Sequence, residues 1–128
     1  MPGSGSANSN KRETMSKTVF QKIADGELPA QIVYQDEWVV AFRDINPQAP
    51  THVLIVPRKP IRNLASVTSE DAPLLGHLMV KAAELARQLG LAESGWRMVF
   101  NSGPNAGEAV PHLHGHILGG RKMGWPPG

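Results

Sequence analysis

Only one stretch of this chain has the spacing of a long helix. From Leu74 through Leu75, Leu78, Met79, Ala82, Leu85, Ala86 and Leu89, apolar residues recur at steps of three and four. That is the pattern of a helix with one face to bury. Ser69 or Asp71 is suited to cap its start, Pro73 is tolerated in its first turn, and Gly90 ends it. The surface that receives this helix has to come from β-structure. Ile32-Val33-Tyr34 and Trp38 to Phe42 read as a hairpin around Gln35-Asp36-Glu37. His52 to Pro57 is continuously apolar after its first residue, which suits a central strand. Trp96 to Phe100 is expected as a fourth strand and Val110 to Leu118 as a fifth, closed by Gly119-Gly120. A short helix over Thr18 to Ala24 precedes them. The sum is an α+β domain: an antiparallel sheet of about five strands with one main helix packed across it.

The chain has 128 residues, enough for one core but not two. Residues 1–16 are rich in Gly, Ser and Asn and are expected to be a disordered tail, with a single domain over 17–128. There are no cysteines, so disulfides and thiolate metal sites are excluded. No apolar run reaches transmembrane length and no secretory signal is apparent, so the expected address is the cytoplasm. The isoelectric point near 9.2 accompanies a net charge of only +2, without the clustered basic residues that nucleic acid requires.

Four of the five histidines bear on function. Residues two apart on a strand share a face, so a fifth strand through His112, His114 and His116 would carry three imidazoles in a row. Leu113 and Ile117 would point into the core, and Gly115 would admit the helix or another backbone closely. Three adjacent imidazoles are costly to bury without partners, so a purely structural role is disfavoured. Two chemistries remain open at this point: metal ligation by a His-x-His pair, and covalent catalysis by a neutral imidazole. The preceding loop, Asn101-Ser102-Gly103-Pro104-Asn105-Ala106-Gly107-Glu108, has the small residues of a phosphate cradle, although many such loops are only turns.

The segment His112-Leu113-His114-Gly115-His116-Ile117-Leu118 resembles the histidine-triad (HIT) motif, in which histidines alternate with apolar residues. The resemblance extends to residues 41–52 (AFRDINPQAPTH), Leu74 to Met79, Arg97-Met98-Val99 and the ending Gly119 to Gly128, which closes on Trp-Pro-Pro-Gly. These stretches are similar to the Hint branch, the histidine triad nucleotide-binding proteins, across residues 18–128. The resemblance implies a homodimer that binds purine nucleoside monophosphates and needs no metal or other cofactor. It implies hydrolysis of nucleoside phosphoramidates and aminoacyl-adenylates through a nucleotidyl-histidine, here on His114. His112, His116 and His52 would contact the phosphate and manage protons. Asp44 would hold the ribose, and Phe20, Ile23, Phe42 and Ile45 would surround the base, although Phe42 and Ile45 serve equally well as core. Asn101 and Gly107 would line the phosphate site. His77 has no place in the triad and reads as structural or exposed. Trp125 would contribute to the dimer.

Three positions depart from the family pattern. Ala109 stands where many Hint proteins carry a serine near the leaving group, Pro111 replaces an aromatic at the pocket rim, and Gly115 interrupts the apolar alternation. These departures keep other readings in play: a nucleotide-binding interaction module with little turnover, a dinucleoside polyphosphate hydrolase, and a structural zinc site.

Overall fold

The computed structural model describes residues 17–128. The tail expected over residues 1–16 lies outside the described residues. Helix α1 spans Val19–Ala24, and strands β1 Ile32–Gln35, β2 Val39–Arg43 and β3 Thr51–Pro57 follow. Helix α2 spans Ala72–Gln88, then come β4 Trp96–Val99 and β5 Gly115–Gly119. The strands form one antiparallel sheet in the order β1-β2-β3-β5-β4, with β3 at its centre as its apolar run predicts.

Both faces of the sheet are covered. Val39, Ala41, Val53, Ile55 and Ile117 pack with Leu78, Ala82, Leu85 and Ala86 of α2. On the opposite face Val40, Phe42, Leu54 and Val56 pack with Ala24, Phe20 and Ile23 around α1. Strand alternation thus assigns odd and even positions to different layers, and β3 is apolar at both because both layers are dry. Even-numbered His52 and His116 therefore belong to the α1 layer, away from the main helix.

Two helix starts differ from expectation in detail. Thr18 caps α1, its Oγ1 accepting from the Gln21 N–H at 3.0 Å. At α2, Asp71 holds the cap position but its side chain reaches back, accepting from the Thr68 N–H at 3.0 Å and from Lys59 at 2.6 Å. Gly90 stops α2 as expected, with φ at 79°.

The fifth strand is shorter than the sequence pattern indicates. It begins at Gly115, and residues 110–114 are irregular. Pro111 has no N–H for a ladder, the Leu113 N–H donates to Ile61 O at 2.7 Å, and the carbonyl of His112 is occupied by the His114 ring. Only His116 of the three histidines is on a strand, so strand alternation does not set the other two. What approaches Gly115 is neither the helix nor another backbone. A Cβ there would lie 2.9 Å from Phe100 Cζ and against Met98 Cε.

Candidate active site

β3 and β5 bring His52 and His116 together. His52 is in register with Leu118, and His116 with Leu54, so the two imidazoles are diagonal neighbours on one face. Their centroids are 5.1 Å apart, and His52 Nε2 lies 2.9 Å from His116 Nδ1. A backbone donor assigns the protons. The Gln48 N–H donates to His52 Nδ1 at 3.0 Å, so in the neutral ring the hydrogen is on Nε2. That Nε2–H donates to His116 Nδ1, with Asp44 Oδ2 also 3.4 Å away. His116 must then carry its own hydrogen on Nε2, a buried atom with no partner among the described residues. Leaving such a group unpaired costs about 1–3 kcal/mol, so an acceptor from outside the chain fits there.

His114 is set up the other way. Its Nδ1 lies 2.7 Å from the His112 carbonyl oxygen. A carbonyl can only accept, so Nδ1 holds the hydrogen and Nε2 holds the free lone pair. The ring is gripped edge-on by Phe20 at 4.8 Å and by His116 at 4.9 Å between centroids. His112 serves this geometry through its backbone. Its own ring is 1% exposed and donates from Nε2 to Pro57 O at 2.8 Å. The expected row of three rings is therefore a cluster of His52, His114 and His116, with the His112 ring bonded elsewhere. The signal for this was Pro111, which disfavours a regular strand just before the motif.

Burial favours the neutral ring at His116, His52 and His112. It pushes His116 down to about 4, helped by His114 and His52 and opposed by Asp44. It also lowers His52 against the pull of Asp44, and His112 against its bond to Pro57. Asp44, His52 and His116 each present a ligand atom within 4.8 Å of the others, a set able to surround a metal ion. With His52 Nδ1 already accepting a backbone N–H, however, ligation through Nε2 requires loss of that bond or a fully deprotonated ring. The donor set suits proton handling better than metal binding.

Beside the imidazoles is an apolar cavity of about 370 Å³. Phe20, Ile23, Phe42, Asp44 and Ile45 line it, all five expected from the sequence, together with Val19, Leu28, Pro29, Ala30, Arg43 and Leu54. Phe42 is buried and is both core and lining, whereas Ile45 is 99% exposed and forms only the rim. Of the added residues, Leu28, Pro29 and Ala30 lie on the connection after α1, whose return across the sheet has no sequence signature, while Val19 belongs to α1, Arg43 to β2 and Leu54 to β3. Asp44 Oδ1 accepts the Asn46 N–H at 2.8 Å, leaving Oδ2 toward the histidines. Pro111 borders a different cavity, with Lys17, Thr18, Gln21, Asp25, Pro60 and His112, rather than the apolar slot.

The loop before the motif is more closed than a phosphate cradle would be. The Ala106 and Glu108 N–H groups donate to Gly103 O, and the Gly107 N–H to Pro104 O. Gly103 and Gly107 have φ of 90° and 78°, which the turn requires and a side chain would resist. The Gly103 N–H donates to the carboxylate of Glu108 at 2.9 Å, and Asn63 Nδ2 donates to the same oxygen at 2.6 Å. These two donors hold Glu108 below the usual carboxylate range against its burial, with smaller help from Arg62 and His114. Asn101 is half-buried at the start of this loop. Glu108 was read only as the loop's last residue; its role as the clip appears once the loop folds back.

Comparison with known proteins agrees with this architecture. Residues 25–123 match the HIT domain family. An uncharacterized HIT-like protein of Synechocystis is 53% identical over 87% of this chain and 96% of its own length. A 14 kDa zinc-binding protein of Zea mays is 50% identical over 88% and 89%. Among solved structures, a HIT family hydrolase from Legionella pneumophila superposes with a TM-score of 0.86 at 49% identity, covering 88% of this chain and all of that one. A histidine triad nucleotide-binding protein from Candida albicans superposes at 0.73 with 28% identity, over 86% and 83% of the two chains. The chain belongs to the HIT domain family, and its α+β fold is the HIT fold.

Proposed function

We propose that this chain is a nucleotide-binding hydrolase of the Hint branch, acting in the cytoplasm as a homodimer. Its substrates are purine nucleoside phosphoramidates and aminoacyl-adenylates. The observation that carries the reading is the complementary pair of imidazole nitrogens: a free lone pair on His114 Nε2 beside an unpartnered hydrogen on His116 Nε2. One suits a nucleophile and the other an acid.

In the reaction so read, the base occupies the apolar slot and Asp44 meets the ribose hydroxyls, with Asn101 and Gly107 along the phosphate. His114 Nε2 attacks the α-phosphorus, forming the nitrogen–phosphorus bond of a nucleotidyl-histidine. The bond from phosphorus to the leaving amine breaks as that nitrogen takes a proton from His116 Nε2. The bound phosphate's negative charge supports the additional proton His116 needs, since burial alone favours the neutral ring. That proton is held on Nδ1, and the His52 Nε2–H then turns to Asp44 Oδ2. Water then attacks phosphorus, returns a proton to His116 and frees His114. The His112 carbonyl steadies the positive charge that builds on His114 through its Nδ1–H. Trp125 is 82% exposed in the single chain, in keeping with a surface that a second copy covers.

The test is turnover of an adenosine phosphoramidate by the wild type and by His114→Ala. Equal rates end the assignment of His114. Tight monophosphate binding without turnover in the wild type means an interaction module. Faster cleavage of a diadenosine polyphosphate means the polyphosphate branch.

A further inference from the structure

The loop before β3, residues 44–50, carries the donor that directs His52, yet little holds it from within. The Asn46 N–H donates to Asp44 Oδ1 at 2.8 Å, and Gln48 Nε2 to the Asn46 carbonyl at 3.0 Å. Both contacts are exposed and join residues two apart, so neither ties the loop to the sheet. Ile45, Asn46, Pro47 and Gln48 are all exposed. The Gln48 N–H nevertheless has to stay on His52 Nδ1, 3.0 Å away. The segment after β5 supplies the missing restraint. Arg121 Nη2 donates to the Gln48 carbonyl oxygen at 3.0 Å, joining residues 73 positions apart. Its Nη1 donates to the Lys122 carbonyl at 3.2 Å, which steadies the fork. Gly120 lets this segment pass close over the end of the loop, since a Cβ there would lie 2.8 Å from Pro50 Cβ. Among the described residues, Arg121 is the one side chain outside the loop and β3 that hydrogen-bonds residues 44–50.

We infer that Arg121 is a positioning residue for the imidazole relay: by holding the Gln48 carbonyl it keeps the Gln48 N–H on His52 Nδ1, and so keeps His52 a donor through Nε2. Its bearing on turnover rests on the reading of the imidazole cluster as the phosphoryl-transfer site. The carbonyl and N–H of Gln48 flank one Cα, each in a rigid peptide plane, so anchoring one limits how far the other can turn away. While the N–H occupies Nδ1, the neutral ring carries its hydrogen on Nε2, where it faces His116 Nδ1 or Asp44 Oδ2. Without that N–H, Nδ1 can take the hydrogen and Nε2 becomes an acceptor. His116 then gives its own hydrogen to that bond from Nδ1, and its Nε2 is left with a lone pair in place of the acid hydrogen. Arg121 has no hydrogen bond to either ring among the described residues and acts through Gln48. The contact is exposed, so its effect is that of one ordinary hydrogen bond, about three- to tenfold in an equilibrium.

Arg121→Met removes the donors and keeps most of the apolar stem. Nuclear magnetic resonance of the full, ligand-free chain reads which ring nitrogen of His52 carries the hydrogen, and how fast each amide exchanges with solvent. In the variant the Gln48 amide is expected to exchange about three- to tenfold faster while the β3 amides keep their wild-type rates. A fraction of His52 should now carry its hydrogen on Nδ1. Turnover of an adenosine phosphoramidate should lose about three- to tenfold in kcat, with KM within about twofold of wild type. An unchanged Gln48 amide and His52 pattern overturns the inference, whatever kcat does. Faster exchange at all amides alike also overturns it, since that marks plain loss of stability. So does a shifted His52 pattern with unchanged kcat, or a rise in KM alone, which would make the guanidinium an attractor of phosphate. Should Arg121→Met fail to fold, the wild type decides. Hindered rotation of the Arg121 Nη groups supports the clasp, and free rotation refutes it. If the wild type turns over no phosphoramidate, the functional reading fails, while the exchange and ring-nitrogen measurements still decide whether Arg121 orients His52.

Discussion

Among the described residues are two carboxylate–imidazole pairs, and their difference separates a structural device from a site. At Asp36, Oδ2 accepts from the Tyr34 hydroxyl at 2.7 Å and from His77 Nε2 at 2.6 Å. Its Oδ1 accepts the Trp38 and Val39 N–H groups at 2.7 and 2.8 Å. Burial pushes this carboxyl up, but the four donors outweigh it and hold it well below the usual range. The Trp38 ring leans on His77 with centroids 5.0 Å apart, tying the β1–β2 hairpin to α2. At Asp44 the network is open. The carboxylate is 3.4 Å from His52, His52 donates to His116, and the relay ends at a buried nitrogen with no partner among the described residues. A network whose polar atoms are all matched contributes stability and has nothing left for a ligand. A network with one unmatched end gives up some stability and gains a place to bind.

The strongest way to break this comparison is at the open network. His114→Ala is expected to lower phosphoramidate turnover by at least about 10³-fold, as loss of a nucleophile does, with little change in the melting temperature. Next is His52→Ala, which frees His116 Nδ1 and removes the ring that orients it. A loss of kcat of about ten- to a hundredfold with KM nearly unchanged is expected; an unchanged kcat would mean that His52 is merely packed. The closed network should respond in the opposite way. His77→Ala is expected to cost about 1–2 kcal/mol in urea denaturation, one donor lost from a half-buried carboxylate, while kcat stays at the wild-type level. A loss of activity there would erase the distinction between the two pairs.

The smallest effect is a pH dependence of stability. His52, His112 and His116 have folded-state values below the ordinary value near 6.5. Just below pH 6.5 the unfolded chain therefore binds more protons than the folded one. Their contribution is whole above pH 6.5 and declines as pH falls toward 4. The urea midpoint should fall over that window, and the fall should be smaller in His52→Ala. The Asp36 carboxylate should add no slope there, since it stays ionised throughout.

The order of elements, the central place of β3 and the single long helix were legible in the chain. Each rests on a local period or on a residue with one dominant conformational effect, as with Pro29 after α1 and Gly90 after α2. Of the residues lining the apolar slot, Phe20, Ile23, Phe42, Asp44 and Ile45 were expected, and only through the family resemblance. The HIT family was legible in the motif around His114 and in the stretches that accompany it. The row of histidines was legible as composition but not as geometry. Alternation treats residues 110–118 as one strand, whereas ladder pairing stops at Gly115 and His112 turns its ring to Pro57.

What the sequence alone determined is which chemistry is available: four histidines, a carboxylate at Asp44, and an α+β frame with one helix to cover one face. What only the tertiary structure decided is the direction of the protons. That direction depends on which backbone atom meets each ring, Gln48 N–H at His52, the His112 carbonyl at His114 and the Pro57 carbonyl at His112. Two of these three contacts come from a turn or a bend in the chain, and the third joins residues 55 positions apart. No side-chain periodicity encodes such meetings, because a backbone donor or acceptor is the same at nearly every residue and only the fold selects which one a ring will face.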